Sequence, residues 1–98
     1  MASVWTQGTW TVKPGREEEF VRAWGAMRDS VLAEFGAIAP PTLLRDHERP
    51  SVFVSFGPWP DVNHISRFRG SEQFVQAFAA LGELLDDFRT LTLDEVTP

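Results

Sequence analysis

Ninety-eight residues make one domain, residues 1–98, and at that length only about two-thirds of the unfolded chain's surface is buried on folding, so the core must be dense. Four Trp and eight Phe supply that density; at ~150 to 250 Å² each they exceed the needs of a small core, which implies an aromatic-lined cavity or interface. A formal charge of -5, nine scattered basic residues and no cysteine argue against a nucleic-acid partner, and leave no disulfide framework, thiolate metal site or cysteine nucleophile.

The opening MASVWTQGTWTV has neither the positive segment nor the apolar segment of a signal peptide, and no stretch approaches the ~18 apolar residues of a membrane span. A soluble, cytoplasmic protein without a membrane partner is expected. From Val4 to Val12 the residues alternate as in a strand, with Val4, Thr6, Gly8, Trp10 and Val12 on one side and Trp5, Gln7, Thr9 and Thr11 on the other. Each face carries a tryptophan. Pro14 and Gly15 break the strand, and Glu17, Glu18 and Glu19 stand where a helix N-terminus favours negative charge. The helix runs to about Phe35, its apolar stripe is Phe20, Trp24, Met27, Val31 and Phe35, and Gly36 follows as the C′ residue.

Beyond Ala39, Pro40 and Pro41, two strand-like runs, Thr42 to His47 and Val52 to Phe56, form a hairpin across the polar loop of Glu48, Arg49 and Pro50. The sequence GPWPD then turns the chain into a second helical region, with Trp59 at the corner and Asp61 as a cap. That region is interrupted at Gly70 and restarts at Ser71; its apolar residues are Val62, Ile65 and Phe68, then Phe74, Phe78, Leu81 and Leu85. A last strand, about Phe88 to Val96, alternates Leu91 and Leu93 with Thr90 and Thr92.

Strand, helix, strand, strand, helix, strand is the split βαβ order of an α+β, ferredoxin-like sandwich with an antiparallel sheet. The first and third strands are then central, and helices cover one face only. The other face would expose some of Trp10, Val52, Val54, Phe56 and Leu44, so a second copy of the chain is expected to cover it as a homodimer.

TWTVKPGREEEF, LLRD, VSFGPWPD and RFRGSEQF, in this order and spacing from about Val4 to Val96, resemble the antibiotic biosynthesis monooxygenase family of dimeric α+β barrels. The resemblance implies a cofactor-free oxygenase of a phenol, quinol or anthrone-like molecule, with molecular oxygen as co-substrate and a homodimer as the assembly. It places the family's corner tryptophan on Trp59, its pocket asparagine on Ser55, its tyrosine on Ile65 and its later arginine near Val75. In the haem-degrading branch the axial histidine falls on Phe78, the helical tryptophan on Phe68 and the first-strand asparagine on Gln7. Phenylalanine cannot ligate iron, so haem is not expected, and no other cofactor is implied.

The candidate site residues follow, each with a plainer alternative. Trp59 either stacks on a flat substrate and donates its indole N–H, or plugs the strand against the helix. His64, near a helix N-terminus and neighbouring Phe68, is either the base for a phenolic proton or a core-edge histidine bonded to backbone or water. The family alignment turns Gln7 and Ser55 toward the helices, where they orient a substrate oxygen or satisfy each other or a trapped water. Phe68 would form a stacking wall, and Arg45 either reaches the same space or lies on an edge strand. His47 and His64 are the only histidines and are far apart in sequence, so no metal is expected. The competing function is a non-redox, small-molecule-binding homodimer of the same fold.

Overall fold

The computed structural model describes residues 3–35 and 39–98. Strand β1 (Val4–Val12) is followed by helix α1 (Glu17–Phe35), the hairpin β2 (Thr42–Arg45) and β3 (Val52–Trp59), helices α2 (Val62–Arg69) and α3 (Glu72–Gly82), and strand β4 (Leu85–Asp94). The strands form one antiparallel sheet in the order β2-β3-β1-β4, so β1 and β3 are central, as their apolar content predicts. This is the ferredoxin-like α+β arrangement.

Each helix is fixed by local chemistry. α1 begins with three glutamates that complement the positive end of its dipole, and Phe20, Trp24 and Val31 of its stripe are buried against the sheet. Gly36, expected to end it, lies outside the described residues. Asp61 caps α2 by accepting the backbone N–H of His64 at 2.9 Å, and Ser71 caps α3 by accepting that of Phe74 at 3.2 Å. The break at Gly70 re-aims the chain so that Phe68 and Phe74, on different helices, bring their rings within 4.5 Å.

Three boundaries differ from the sequence expectation. β2 stops at Arg45 because Asp46 turns its carboxylate onto the backbone N–H groups of Glu48 and Arg49 and makes a turn of what reads as strand. β3 runs on through Gly57 and Pro58 to Trp59; β2 has no residue paired past Phe56, so Pro58 sits where one flank of β3 has no partner to miss its N–H. Leu85 starts β4 instead of ending the helix. A bulge between Thr11 and Val12 of the β1–β4 ladder pairs Trp10 with Phe88 and Val12 with Leu85, so residues three apart on β4 meet partners two apart on β1.

The sheet's two faces are assigned by burial. Gly8, Trp10 and Val12 of β1 and Phe53, Ser55 and Trp59 of β3 lie under the helices, and Trp10 is only 4 % exposed. Trp10 is therefore a core residue, and of the set from which the sequence reading expects the open face to draw, it is the one that lies inside. The open face carries Trp5, Val52, Val54, Phe56, Leu44, Leu91 and Leu93. Beneath the helices the buried residues fall into two clusters, one around Trp10, Phe20, Trp24 and Phe53 and one around Val31, Trp59 and Ile65.

Candidate active site

A cavity of about 160 Å³ borders both clusters, with Trp10 and Trp24 on its wall from the first and Val31, Trp59 and Ile65 from the second. Much of the wall is an arc of six rings. Trp59 lies 5.3 Å from Phe68, Phe68 4.5 Å from Phe74, Phe74 5.3 Å from Phe78, Phe78 5.1 Å from Phe88, and Phe88 4.3 Å from Trp10, centroid to centroid. All six border the cavity. Such an apolar, pre-formed concavity with a few polar groups is the usual shape of a small-molecule site.

The two ends of the arc are tied to the sheet by matching hydrogen bonds. Trp59 Nε1 donates to Thr6 Oγ1 at 2.9 Å, and Trp10 Nε1 donates to Ser55 Oγ at 2.9 Å. Thr6 and Ser55 themselves line the cavity from the neighbouring strands β1 and β3. Gly8 stands opposite Ser55 and makes the second bond possible: a Cβ there would lie 3.0 Å from Trp10 Nε1 and 3.1 Å from Ser55 Oγ.

The predicted site residues divide. Trp59, Ser55 and Phe68 are brought together on the wall. The Trp59 N–H, expected to reach a substrate oxygen, is bound to Thr6 instead. Gln7 also borders the cavity, but its side chain lies on the far face, because it pairs with Phe56 and Leu91 while Gly8 shares the face of Ser55. With a tryptophan on each face of β1, alternation alone could not choose the inner one. Arg45 is remote: its guanidinium lies 4.9 Å from the Phe53 ring centroid, outside the cavity wall.

His64 is not on the wall either. Its Nδ1 lies 2.8 Å from the Asp61 carboxylate, and these bonds from His64 ring and backbone hold the Asp61 carboxyl below its ordinary value. The ring is part of the α2 cap and so does not face a substrate in this cavity.

Sequence reasoning missed Thr6, Trp10, Arg28 and Arg69. Alternation already grouped Thr6, Gly8 and Trp10; the register opposite Ser55 turns that group inward. Arg28 of α1 and Arg69 of α2 are the only charged side chains on the wall among the described residues. No group of three His, Asp or Glu side chains is placed to hold a metal ion among the described residues. No described helix is long and apolar enough to cross a membrane.

A family model described as antibiotic biosynthesis monooxygenase matches residues 4–80, a span that holds both tryptophans, both hydroxyls and most of the aromatic arc. The chain belongs to the antibiotic biosynthesis monooxygenase family. Solved structures agree on the fold. A conserved protein from Methanosarcina mazei Go1 is 21% identical with a TM-score of 0.88, over 98% of this chain and 95% of that one. A Caulobacter crescentus CB15 protein provisionally named an antibiotic biosynthesis monooxygenase is 20% identical with a TM-score of 0.89, over 98% and 92%. One from Bordetella bronchiseptica, named the same way, is 21% identical with a TM-score of 0.85, over 99% and 100%. No curated protein matches the chain. At these identities the structural neighbours speak to fold, and the residues of the wall must carry the chemistry.

Proposed function

We propose that this antibiotic biosynthesis monooxygenase family member is a cofactor-independent monooxygenase of a small phenol, quinol or anthrone-like substrate, acting as a homodimer. The observation that carries the reading is the arc of six rings around a cavity of about 160 Å³. Such walls stack on a flat ring and keep bulk water from a reactive intermediate.

The reaction balances without a cofactor. A phenol gives up its O–H proton to bulk water before it binds, the bound phenolate passes electrons to dioxygen, and a carbon–oxygen bond forms on the ring. The O–O bond then breaks as the ring hydrogen leaves that carbon as a proton. One oxygen atom stays as a quinone carbonyl and the other departs as water, the substrate supplying every electron. The protein's part is to hold ring and dioxygen together and to donate hydrogen bonds to the oxygen that bears the charge. The hydroxyls of Thr6 and Ser55 on the cavity wall support that reading.

Oxygen uptake by metal-free protein with a panel of quinols tests the reading. Uptake is expected, slowed at least tenfold in Trp59→Phe, which loses the indole bond to Thr6. Saturable binding with no uptake from any quinol would favour the second reading, a non-redox binding homodimer. One observation favours that alternative: no carboxylate or imidazole lines the cavity among the described residues.

A further inference from the structure

We propose that the cavity binds a single-ring aromatic in its anionic form, a phenolate whose oxygen accepts hydrogen bonds from the Thr6 and Ser55 hydroxyls in the field of Arg28 and Arg69. The inference builds on the aromatic-substrate reading and specifies the size and charge of the ligand.

Size comes first. An engineered protein cavity of about 150 Å³ holds one benzene molecule, so about 160 Å³ suits one ring with a small substituent and narrows the substrates proposed above to phenols and quinols, in preference to a tricyclic anthrone.

The donors come next. An indole N–H can only donate, so Trp10 and Trp59 force the oxygens of Ser55 and Thr6 to accept. Each hydroxyl retains its own hydrogen, and neither hydrogen has an acceptor among the described residues. Both hydroxyls border the cavity, and Ser55 is 9 % exposed. Two hydroxyls held as donors on adjacent strands suit an oxygen rich in lone pairs. Trp10 and Trp59 are thus positioning residues for the pair.

Charge completes the case. The chain has 14 acidic and nine basic side chains, yet the wall carries two arginines and no carboxylate among the described residues. Arg69 has no ion-pair partner among the described residues, and Arg28 pairs only with its exposed neighbour Asp29 at 3.2 Å. An anion in an apolar site needs such donors and charges to offset its desolvation. Among the described residues no lining side chain is a base, so an ordinary phenol, with a pKa of about 10, has no partner there to ionise it. The ligand must arrive charged.

4-Nitrophenol is the probe, because it is one ring, ionises near neutrality and reports its own protonation by absorbance. Among the described residues Arg28 and Arg69, with Asp29 beside Arg28, are the charged groups around it; Asp61 and His64 lie off the wall. The bound probe should ionise at lower pH than the free one, the anion binding at least tenfold more tightly than the non-ionisable 4-nitroanisole. Arg69→Gln should weaken the anion several-fold and leave nitroanisole unchanged, while Thr6→Val should lose the preference and Thr6→Ser restore it. Equal affinity for the two probes, an upward shift on binding, or no binding of nitrophenolate at millimolar concentration overturns the proposal. Nitrophenol is too electron-poor to reduce oxygen, so binding is read without turnover. Anion binding with no uptake from any quinol sinks the oxygenase reading alone, and uptake from a quinol without anion preference sinks this proposal alone.

Discussion

Gly8 decides whether the Trp10–Ser55 bond exists. Its missing Cβ would lie 3.2 Å from Phe88 as well as against the bond itself, and the Trp10 indole is confined by Phe20, Phe78 and Phe88 and cannot retreat. Gly8→Ala should therefore destabilise the fold by about 1 to 3 kcal/mol, the usual cost of overpacking, with part of it from an indole N–H pushed off its acceptor. Chemical denaturation measures it, and a change within ~0.5 kcal/mol would show that the bond tolerates displacement. His64 makes the opposite case: its ring serves the α2 cap, so His64→Ala should alter quinol-dependent oxygen uptake less than about twofold. A loss of a hundredfold, the scale of a missing general base, would return the imidazole to the chemistry. At this scale the sequence revealed Trp59 as a proline-flanked tryptophan and Phe68 as an apolar residue of the helix that follows it, while Ser55 came from the family resemblance. Thr6 and the arginines did not stand out. Their roles come from strand register and from which side of a helix meets the cavity, neither of which residue type encodes.

Among the elements, the acidic residues at helix starts tie the secondary structure to pH. Glu17 at the head of α1 accepts Ser51 Oγ at 2.6 Å and Gly15 N at 2.8 Å, so one carboxylate joins the β1–α1 turn, where Gly15 has φ 90°, to the start of β3. The Ser51 bond, with the backbone bonds behind it, lowers the Glu17 pKa from its ordinary 4.5. A lowered carboxylate pKa means that the folded state holds its proton less tightly than the unfolded chain. The stability it lends is then fully present above pH 4.5 and disappears as pH falls through the lowered value. Asp46 and Asp61 act in the same sense from an ordinary 3.8. Thermal melts between about pH 6 and pH 2.5 should show wild type above Glu17→Gln at the neutral end and the gap closing toward the acid end. A gap that stays constant over that range would mean the bonds do not depend on the charge. The glutamate run, Asp61 and Ser71 were all legible as helix starts, since capping chemistry is local. The run of β3 through Pro58 and the bulge in β4 were not, because each depends on what the neighbouring strand does.

For the whole molecule the governing fact is its flatness. The chain measures 42 × 34 × 17 Å, and its radius of gyration of 13.5 Å exceeds the about 12.6 Å typical of a chain this long. One helix layer lies on one sheet and leaves the other face of the sheet open, with Leu44 51 %, Leu91 56 % and Leu93 43 % exposed. These leucines belong to the outer strands, and between them lie the half-buried Trp5, Val52, Val54 and Phe56, so the patch runs across all four strands. Contiguous apolar area of that extent marks an association surface, and the homodimer proposed above would cover it by a two-fold axis without leaving an open end. Leu91 is the informative position: its side chain is on the open face opposite Gln7, away from the cavity, and contributes little to the fold of one chain. Leu91→Glu should convert a dimer of wild type at micromolar concentration into a folded monomer by light scattering, with its circular dichroism unchanged, because two like charges would meet inside an apolar interface. A wild-type protein that is already monomeric there, with Leu91→Glu scattering identically, would leave the open sheet wet and remove the homodimer from the functional reading. It would not disturb the aromatic arc, which each chain builds from its own residues.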